Sequence, residues 1–294
     1  MARAREPARK LRDWVSTTQS SGHKRARRRS MRSDYETIAT ERRDNHVLLV
    51  TLNRPEASNA MNTQMGLDLM ELFEGLSVDL EQLRAVVLTG SGTKAFCAGG
   101  DLKQRNGMTD EAWQAQHLVF ERMLRAIIGC PIPVVAAVNG AAYGGGCEIA
   151  AAVDFVYASR NARFALTEVT LGIMPGAGGT QNLPRAVGER RAKELILSGL
   201  PFTAEEAERW GLVNRVLEQD QLLDATLAIA DRIAGNGPLS VRQAKQSIHR
   251  GLQMSLADGL AFEIEAYNRL VPTADRREGV LAFNERRKPT FQGK

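Results

Sequence analysis

The stretch PVVAAVNGAAYGGGCEIA (133–150) decides how the rest of the chain is read. Val134 to Val138 is an apolar, β-branched run suited to a buried strand, and Asn139-Gly140 ends it. Gly144-Gly145-Gly146 then opens a short apolar helix, read as Glu148 to Val153. The first amides of a helix lack internal partners and sit at its positive end, so an oxygen gathering negative charge there is stabilised. Two such amides converging on one oxygen form an oxyanion hole. A phosphate loop fits poorly, because no G-x-x-x-x-G-K-[ST] or G-x-G-x-x-G occurs in the glycine clusters.

Outward from this stretch, strand and helix signals alternate. His46 to Leu52 and Ala85 to Leu88 read as strands. Met65, Leu69, Leu72, Phe73 and Leu76 form one helical stripe, and Leu118, Phe120, Met123, Leu124, Ile127 and Ile128 form another, stopped by Gly129 and Pro131. Asp154 to Ala158 reads as a further strand. This order predicts an α/β core with layered sheets and helices. Past residue 185 the strand signals thin out. Thr203 and Glu206 have the spacing of a capping box, and Leu222 to Ile233, Ser240 to Leu252 and Leu256 to Leu270 read as helices, a packing or assembly module.

The chain has 294 residues, 43% hydrophobic and 25% charged, with a formal net charge of +5. That composition excludes a wholly disordered protein, and no apolar run is long enough for a membrane span. Residues 1–33 hold eleven Lys or Arg against Glu6 and Asp13. Basicity therefore belongs to a leader, and the remainder is net acidic. A disordered leader is expected there, with Met31 as an alternative start; its Arg and Ser content also suits an organellar transit peptide or a nucleic-acid-binding arm. Cys97, Cys130 and Cys147 follow no C-x-x-C spacing, which argues for a reducing compartment without disulfides. His23, His46, His117 and His249 lie far apart and show no metal-ligand spacing, so no metal site is expected.

Two carboxylates attract attention. Glu148 lies behind the triple glycine in an otherwise apolar helix, where an ionised group is costly to bury without a task. Glu168 closes Phe164 to Glu168, just before the glycine-rich loop 172–180. Brought together by the fold, they form a general acid and base pair. The segment Phe96 to Leu102 adds a third small-residue turn, at which the Ala98 amide is a candidate donor.

These motifs resemble the enoyl-CoA hydratase (crotonase) family from about residue 36 to 294: LNRPEASNAMN (52–62), AFCAGGDLK (95–103), the stretch 133–150, LTEVTLGIMPGAGGTQNLPRAVG (166–188) and DRREGVLAFNERRKPTF (275–291). The resemblance implies a spiral of β-β-α units followed by a C-terminal helical module. It divides the chain into a leader (1–35), a core (36–235) and the helical module (236–294). It implies an acyl-CoA substrate whose thioester oxygen is held by the amides of Ala98 and Gly145, with Glu148 and Glu168 catalytic and the Gly176 amide orienting water. Arg54, Ala57 and Ser58, with Gly99, Gly100, Asp101 and Leu102, would contact substrate or CoA, as would Phe283 and Arg286 from a neighbouring subunit of a homotrimer or hexamer. Residues 108–120 and the C-terminal helices are expected to line the acyl group. Coenzyme A enters as part of the substrate, and no other cofactor is implied. Thr167 stands where many relatives have Pro, and Arg286 where Lys is common. Both glutamates being present favours hydration over isomerisation or another acyl-CoA lyase reaction through the same enolate. The likeness extends to the methylglutaconyl-CoA hydratase branch, one member of which binds AU-rich RNA, but the core shows no aromatic stacking platform for nucleic acid. A cytoplasmic location is expected, or the mitochondrial matrix if the leader is a transit peptide.

Overall fold

The computed structural model describes residue 32 and residues 34–294; the expectations for the basic leader, including Met31, fall almost wholly outside these residues. Strands β1 (Ile38–Arg42) and β2 (Val47–Leu52) form an antiparallel pair. Helix α1 (Thr63–Val78) follows, with the Asn62 side chain accepting from the Met65 amide at 2.9 Å. Its predicted stripe of Met65, Leu69, Leu72, Phe73 and Leu76 is fully inside.

From here the chain repeats one manoeuvre. β3 (Ala85–Gly90) joins a large sheet, β4 (Ala95–Cys97) joins a small one, and helices α2 (Leu102–Arg105) and α3 (Asp110–Ile128) follow. β5 (Val134–Val138) and β6 (Ala141–Tyr143) split between the same two sheets before α4 (Gly145–Ala152). β7 (Phe155–Ser159) and β8 (Arg163–Ala165) do so again. The large sheet has the order β1-β2-β3-β5-β7-β10 and the small one β4-β6-β8-β9, where β9 is Phe202–Thr203 and β10 is Arg215–Leu217. The neighbours β3-β5-β7 and β4-β6-β8 are parallel, so successive units advance along one axis as a spiral.

Parallel strands are sustained when both faces are covered. On β3, Val86 and Leu88 enter the main core with α1 and α3, while Ala85 and Val87 face the opposite cluster. That cluster is closed by Leu222, Leu227 and Ala230 of α8 (Leu222–Ala234). Between them the chain forms α5 (Gly179–Val187), α6 (Glu189–Ser198) and α7 (Ala204–Trp210). The Thr203–Glu206 capping box is present in both directions, at 3.1 and 2.8 Å.

Three expectations shift. α4 begins at Gly145 rather than Glu148, because Gly144 adopts φ +49° and turns the chain early; Glu148 thus sits in the first turn. Leu118, placed on the buried stripe of α3, is exposed, whereas Ile127 is buried and Ile128 packs half-buried against the core. Asp154 precedes β7 and ties loops together, accepting from the Val134 amide and from Lys245, each at 2.7 Å.

Beyond residue 236, α9 (Pro238–Gly251), α10 (Leu256–Leu270) and α11 (Ala274–Asn284) bury only Ala266, Asp275 and Ala282.

Candidate active site

Three corresponding corners of the spiral meet at one cavity of about 660 Å³. Each lies where a small-sheet strand ends: after β4 comes Ala98 to Gly100, after β6 comes Gly144-Gly145, and after β8 comes Thr167-Glu168. All of these residues line the cavity, together with Leu102, Glu148 and Gly176.

Glu148 is 3% exposed. Its Oε1 accepts from the Ala177 and Gly179 amides, each at 2.8 Å. These two bonds clamp one oxygen, while Oε2 lies 3.9 Å from where a Cβ on Gly145 would stand. Burial is the main cause of a pKa pushed up to about 7, with the two amides opposing it and Glu168 adding to it. Glu168 opens a 3-10 turn, Glu168–Leu171. Its Oε1 lies 3.1 Å from where a Cβ on Gly144 would stand, and its buried Oε2 has no hydrogen-bond partner. Burial also raises its pKa. The two carboxyls therefore flank adjacent residues of one glycine turn, each with one oxygen left for chemistry.

Local packing explains the glycines. A Cβ on Gly146 would collide with the Cys97 carbonyl, and one on Gly145 with the Met61 methyl group. Gly99 has φ +90°, and a Cβ there would meet the Tyr143 carbonyl at 2.8 Å. The first two corners are thus pressed together backbone to backbone. Among the described residues, the Gly145 and Gly176 amides have no acceptor. The Ala98 amide does have one: it donates to the Ser58 carbonyl at 3.1 Å.

The segment 54–62 props this loop. Met61 donates to Gly99 at 2.7 Å and accepts from Asp101 at 2.8 Å. Arg54 pairs with Asp101 at 2.9 Å, and Asp101 caps α2 through the Lys103 and Gln104 amides. Arg54, Ala57, Ser58 and Asp101 do not line the cavity; Arg54, Ser58 and Asp101 support the wall behind it. Phe283, 84% exposed, and Arg286 lie at the end of α11, outside the cavity of their own chain. The expectation for residues 108–120 meets the cavity at Trp113, Gln114, His117 and Phe120 of α3, but the C-terminal helices contribute none of its lining. α9 and α10 pack against each other instead, and α11 holds the C-terminal tail through Asp275.

Sequence reading missed Arg105, which lines the cavity, and treated His117 as isolated although it packs against Gly176. A charged residue in a four-residue helix carries no periodic signal, and a single histidine gains meaning only from its neighbours. Cys97, Cys130 and Cys147 are free and buried. Among the described residues no cluster of three or more His, Cys, Asp or Glu could hold a metal, and no helix is long and apolar enough to cross a membrane.

The sequence profile of the enoyl-CoA hydratase/isomerase family matches residues 42–294. A short-chain-enoyl-CoA hydratase of Clostridium acetobutylicum is 42% identical over 246 residues, covering 84% of this chain and 94% of its own. A 2,3-dehydroadipyl-CoA hydratase of Escherichia coli is 40% identical over 261 residues, covering 86% and 97%. Among solved structures, an enoyl-CoA hydratase from Bacillus anthracis superposes with a TM-score of 0.86 at 41% identity, covering 88% of this chain and 100% of that one.

Proposed function

The chain belongs to the enoyl-CoA hydratase/isomerase family, and from that premise we propose that it adds water across the double bond of 2-enoyl-CoA thioesters, giving 3-hydroxyacyl-CoA. The observation that carries this reading is the pair of carboxyls, buried Glu148 and half-buried Glu168, on either side of the Gly144-Gly145 turn.

Attack of water on the β-carbon sends charge to the thioester oxygen, and donors aimed at that oxygen lower the barrier more than they stabilise substrate. The Gly145 amide at the head of α4 is the free donor. The Ala98 amide is the second, sharing its proton between the Ser58 carbonyl and the incoming oxygen. Glu148 holds Oε1 fixed and uses Oε2 to take a proton from water, whose oxygen bonds to the β-carbon; Gly176 N–H helps hold that water. Glu168 delivers a proton to the α-carbon. The pair starts with one proton on Glu168 and ends with it on Glu148, and the proton returns through a water between them. Burial raises the pKa of both carboxyls, which favours retention of a proton by the pair. This chemistry runs without a resident cofactor, coenzyme A being part of the substrate. The exposed apolar faces of α9, α10 and α11 support a homotrimer or hexamer, in which Phe283 and Arg286 of a neighbouring copy, with the wall at Arg54, Ala57 and Ser58, receive the CoA moiety. Three free cysteines agree with a cytoplasmic location.

The test is loss of the conjugated thioester absorbance when the protein meets crotonyl-CoA, with the product identified as 3-hydroxybutyryl-CoA. Conversion of a 3-enoyl thioester to its 2-enoyl isomer without hydration would overturn the reading in favour of isomerisation.

A further inference from the structure

We propose that Arg105 is a specificity residue that selects 2-enoyl-CoA thioesters whose acyl chain ends in a carboxylate. The inference rests on the hydratase reading and names the substrate class of that site, on which the relatives differ.

Arg105 closes α2 and is held from three sides. Its Nε donates to Gln116 Oε1 at 2.8 Å. Buried Gln116 is itself fixed by Thr63 and Gln104, at 2.8 and 2.9 Å. The guanidinium carbon lies 4.3 Å from the Trp113 ring centroid and 5.5 Å from that of Phe120. It also covers Gly100, where a Cβ would stand 3.2 Å from Cζ and from Nη1. Only Nε is spent within the protein: Nη1 and Nη2 have no acceptor among the described residues. Among the described residues, no other Arg or Lys lines the cavity.

A cation on a wall otherwise made largely of Met61, Leu102, Trp113, Phe120 and Ile173 is poorly solvated. Burial lowers its pKa, with Glu148 and Glu168 offsetting part of the effect. A role as countercharge to the glutamates does not account for the geometry, since neither forms an ion pair with Arg105 and Glu148 is already anchored by two amides. A neutral chain laid along this wall would strip water from Nη1 and Nη2 and return nothing. A terminal carboxylate would accept from both nitrogens in the paired arrangement that guanidinium favours. The stacked, hydrogen-bonded fork loses little freedom in doing so.

The experiment compares 2,3-dehydroadipyl-CoA with 2-hexenoyl-CoA, and glutaconyl-CoA with 2-pentenoyl-CoA, on the unaltered protein, Arg105→Lys and Arg105→Met. In at least one pair the unaltered protein should favour the carboxylated substrate by roughly 10- to 100-fold in kcat/KM, as expected for charge-assisted hydrogen bonds. Arg105→Met should remove most of that ratio, chiefly through KM, and Arg105→Lys should restore part of it. A ratio near one in the unaltered protein overturns the proposal. So does an equal loss for both members of each pair, the pattern expected if Arg105 served folding or the CoA phosphates. Calorimetric binding of adipyl-CoA against hexanoyl-CoA separates the two readings. An Arg105-dependent preference there without turnover of any 2-enoyl thioester sinks the hydratase assignment alone, whereas turnover with no preference in either assay sinks the arginine assignment alone.

Discussion

Helix α3 in the spiral body and helix α10 near the C-terminus are both amphipathic, yet they use their apolar faces differently. α3 inserts Val119, Phe120, Met123, Leu124 and Ile127 into the core. α10 buries only Ala266 and leaves Leu256, Leu260, Ile264 and Tyr267 exposed by half or more. The body buries its apolar faces within itself, whereas the last three helices leave theirs exposed; in the assembly proposed above, further copies of the chain cover them. The cavity lies entirely within the closed part. Chemistry and assembly should therefore be separable by mutation.

The sharpest separation comes from the carboxyls. Glu148→Gln and Glu168→Gln should each lower hydration of crotonyl-CoA by about 10³-fold, within the range for lost acid–base catalysis, while sedimentation reports an unchanged oligomer. Full activity in either variant would remove its assigned role.

Folding of the body is probed next. Gly146→Ala forces a Cβ into the Cys97 carbonyl, backbone that cannot swing away. A loss of about 3 kcal/mol or more in denaturant unfolding is expected. Gly145→Ala meets only the flexible end of Met61 and should lose clearly less stability; equal losses would contradict the packing described for the two corners.

The pH dependence is smaller. Glu148 must be ionised to accept a proton from water and Glu168 protonated to deliver one, so kcat/KM should climb with pH towards about 7 and fall again where Glu168 loses its proton. Stability runs the other way. A carboxyl whose pKa rises from 4.5 to about 7 on folding binds its proton more tightly in the folded state. Its contribution is complete below about pH 4.5 and is lost as pH approaches and passes 7, a change on the order of 3 kcal/mol. Glu148→Gln keeps an oxygen for the Ala177 and Gly179 amides and should flatten that fall, read as melting temperature from pH 5 to 8.

The mildest effect on catalysis should come from the open region. Leu256→Glu with Leu260→Glu should reduce the mass measured by light scattering to that of one chain while the circular dichroism of the body persists. Turnover should drop less than about tenfold, through loss of the CoA contacts at Phe283 and Arg286. An unchanged mass would show that these faces are not the assembly surface.

Helices α1, α8 and α10 were legible in the sequence because each repeats its apolar positions over several turns, and Val134–Val138 because it is a continuous β-branched run. The strands β4, β6, β8 and β9, of two or three residues each, were not. So short a segment has no period, and its strand character comes from the neighbour that hydrogen-bonds to it. The first three of those strands place the three corners of the site. Glu148, Glu168 and the glycine turns stood out one by one as unusual residue types, but nothing in their spacing said they face one cavity. Arg105 was invisible, since its character lies in Gln116 and Trp113, a turn and more away.

Residue order alone settled which segments are helices or long strands, where glycine is needed, and which carboxylates are too costly to bury idly, because these follow from local sterics and solvation. The tertiary structure alone decided that the ends of β4, β6 and β8 coincide, and that among the described residues the Ala98 amide has a partner while the Gly145 amide and two nitrogens of Arg105 have none. Those properties depend on which groups the spiral stacks within hydrogen-bond reach, and segments from 22 to 68 residues apart meet only when the parallel sheets bring them into register.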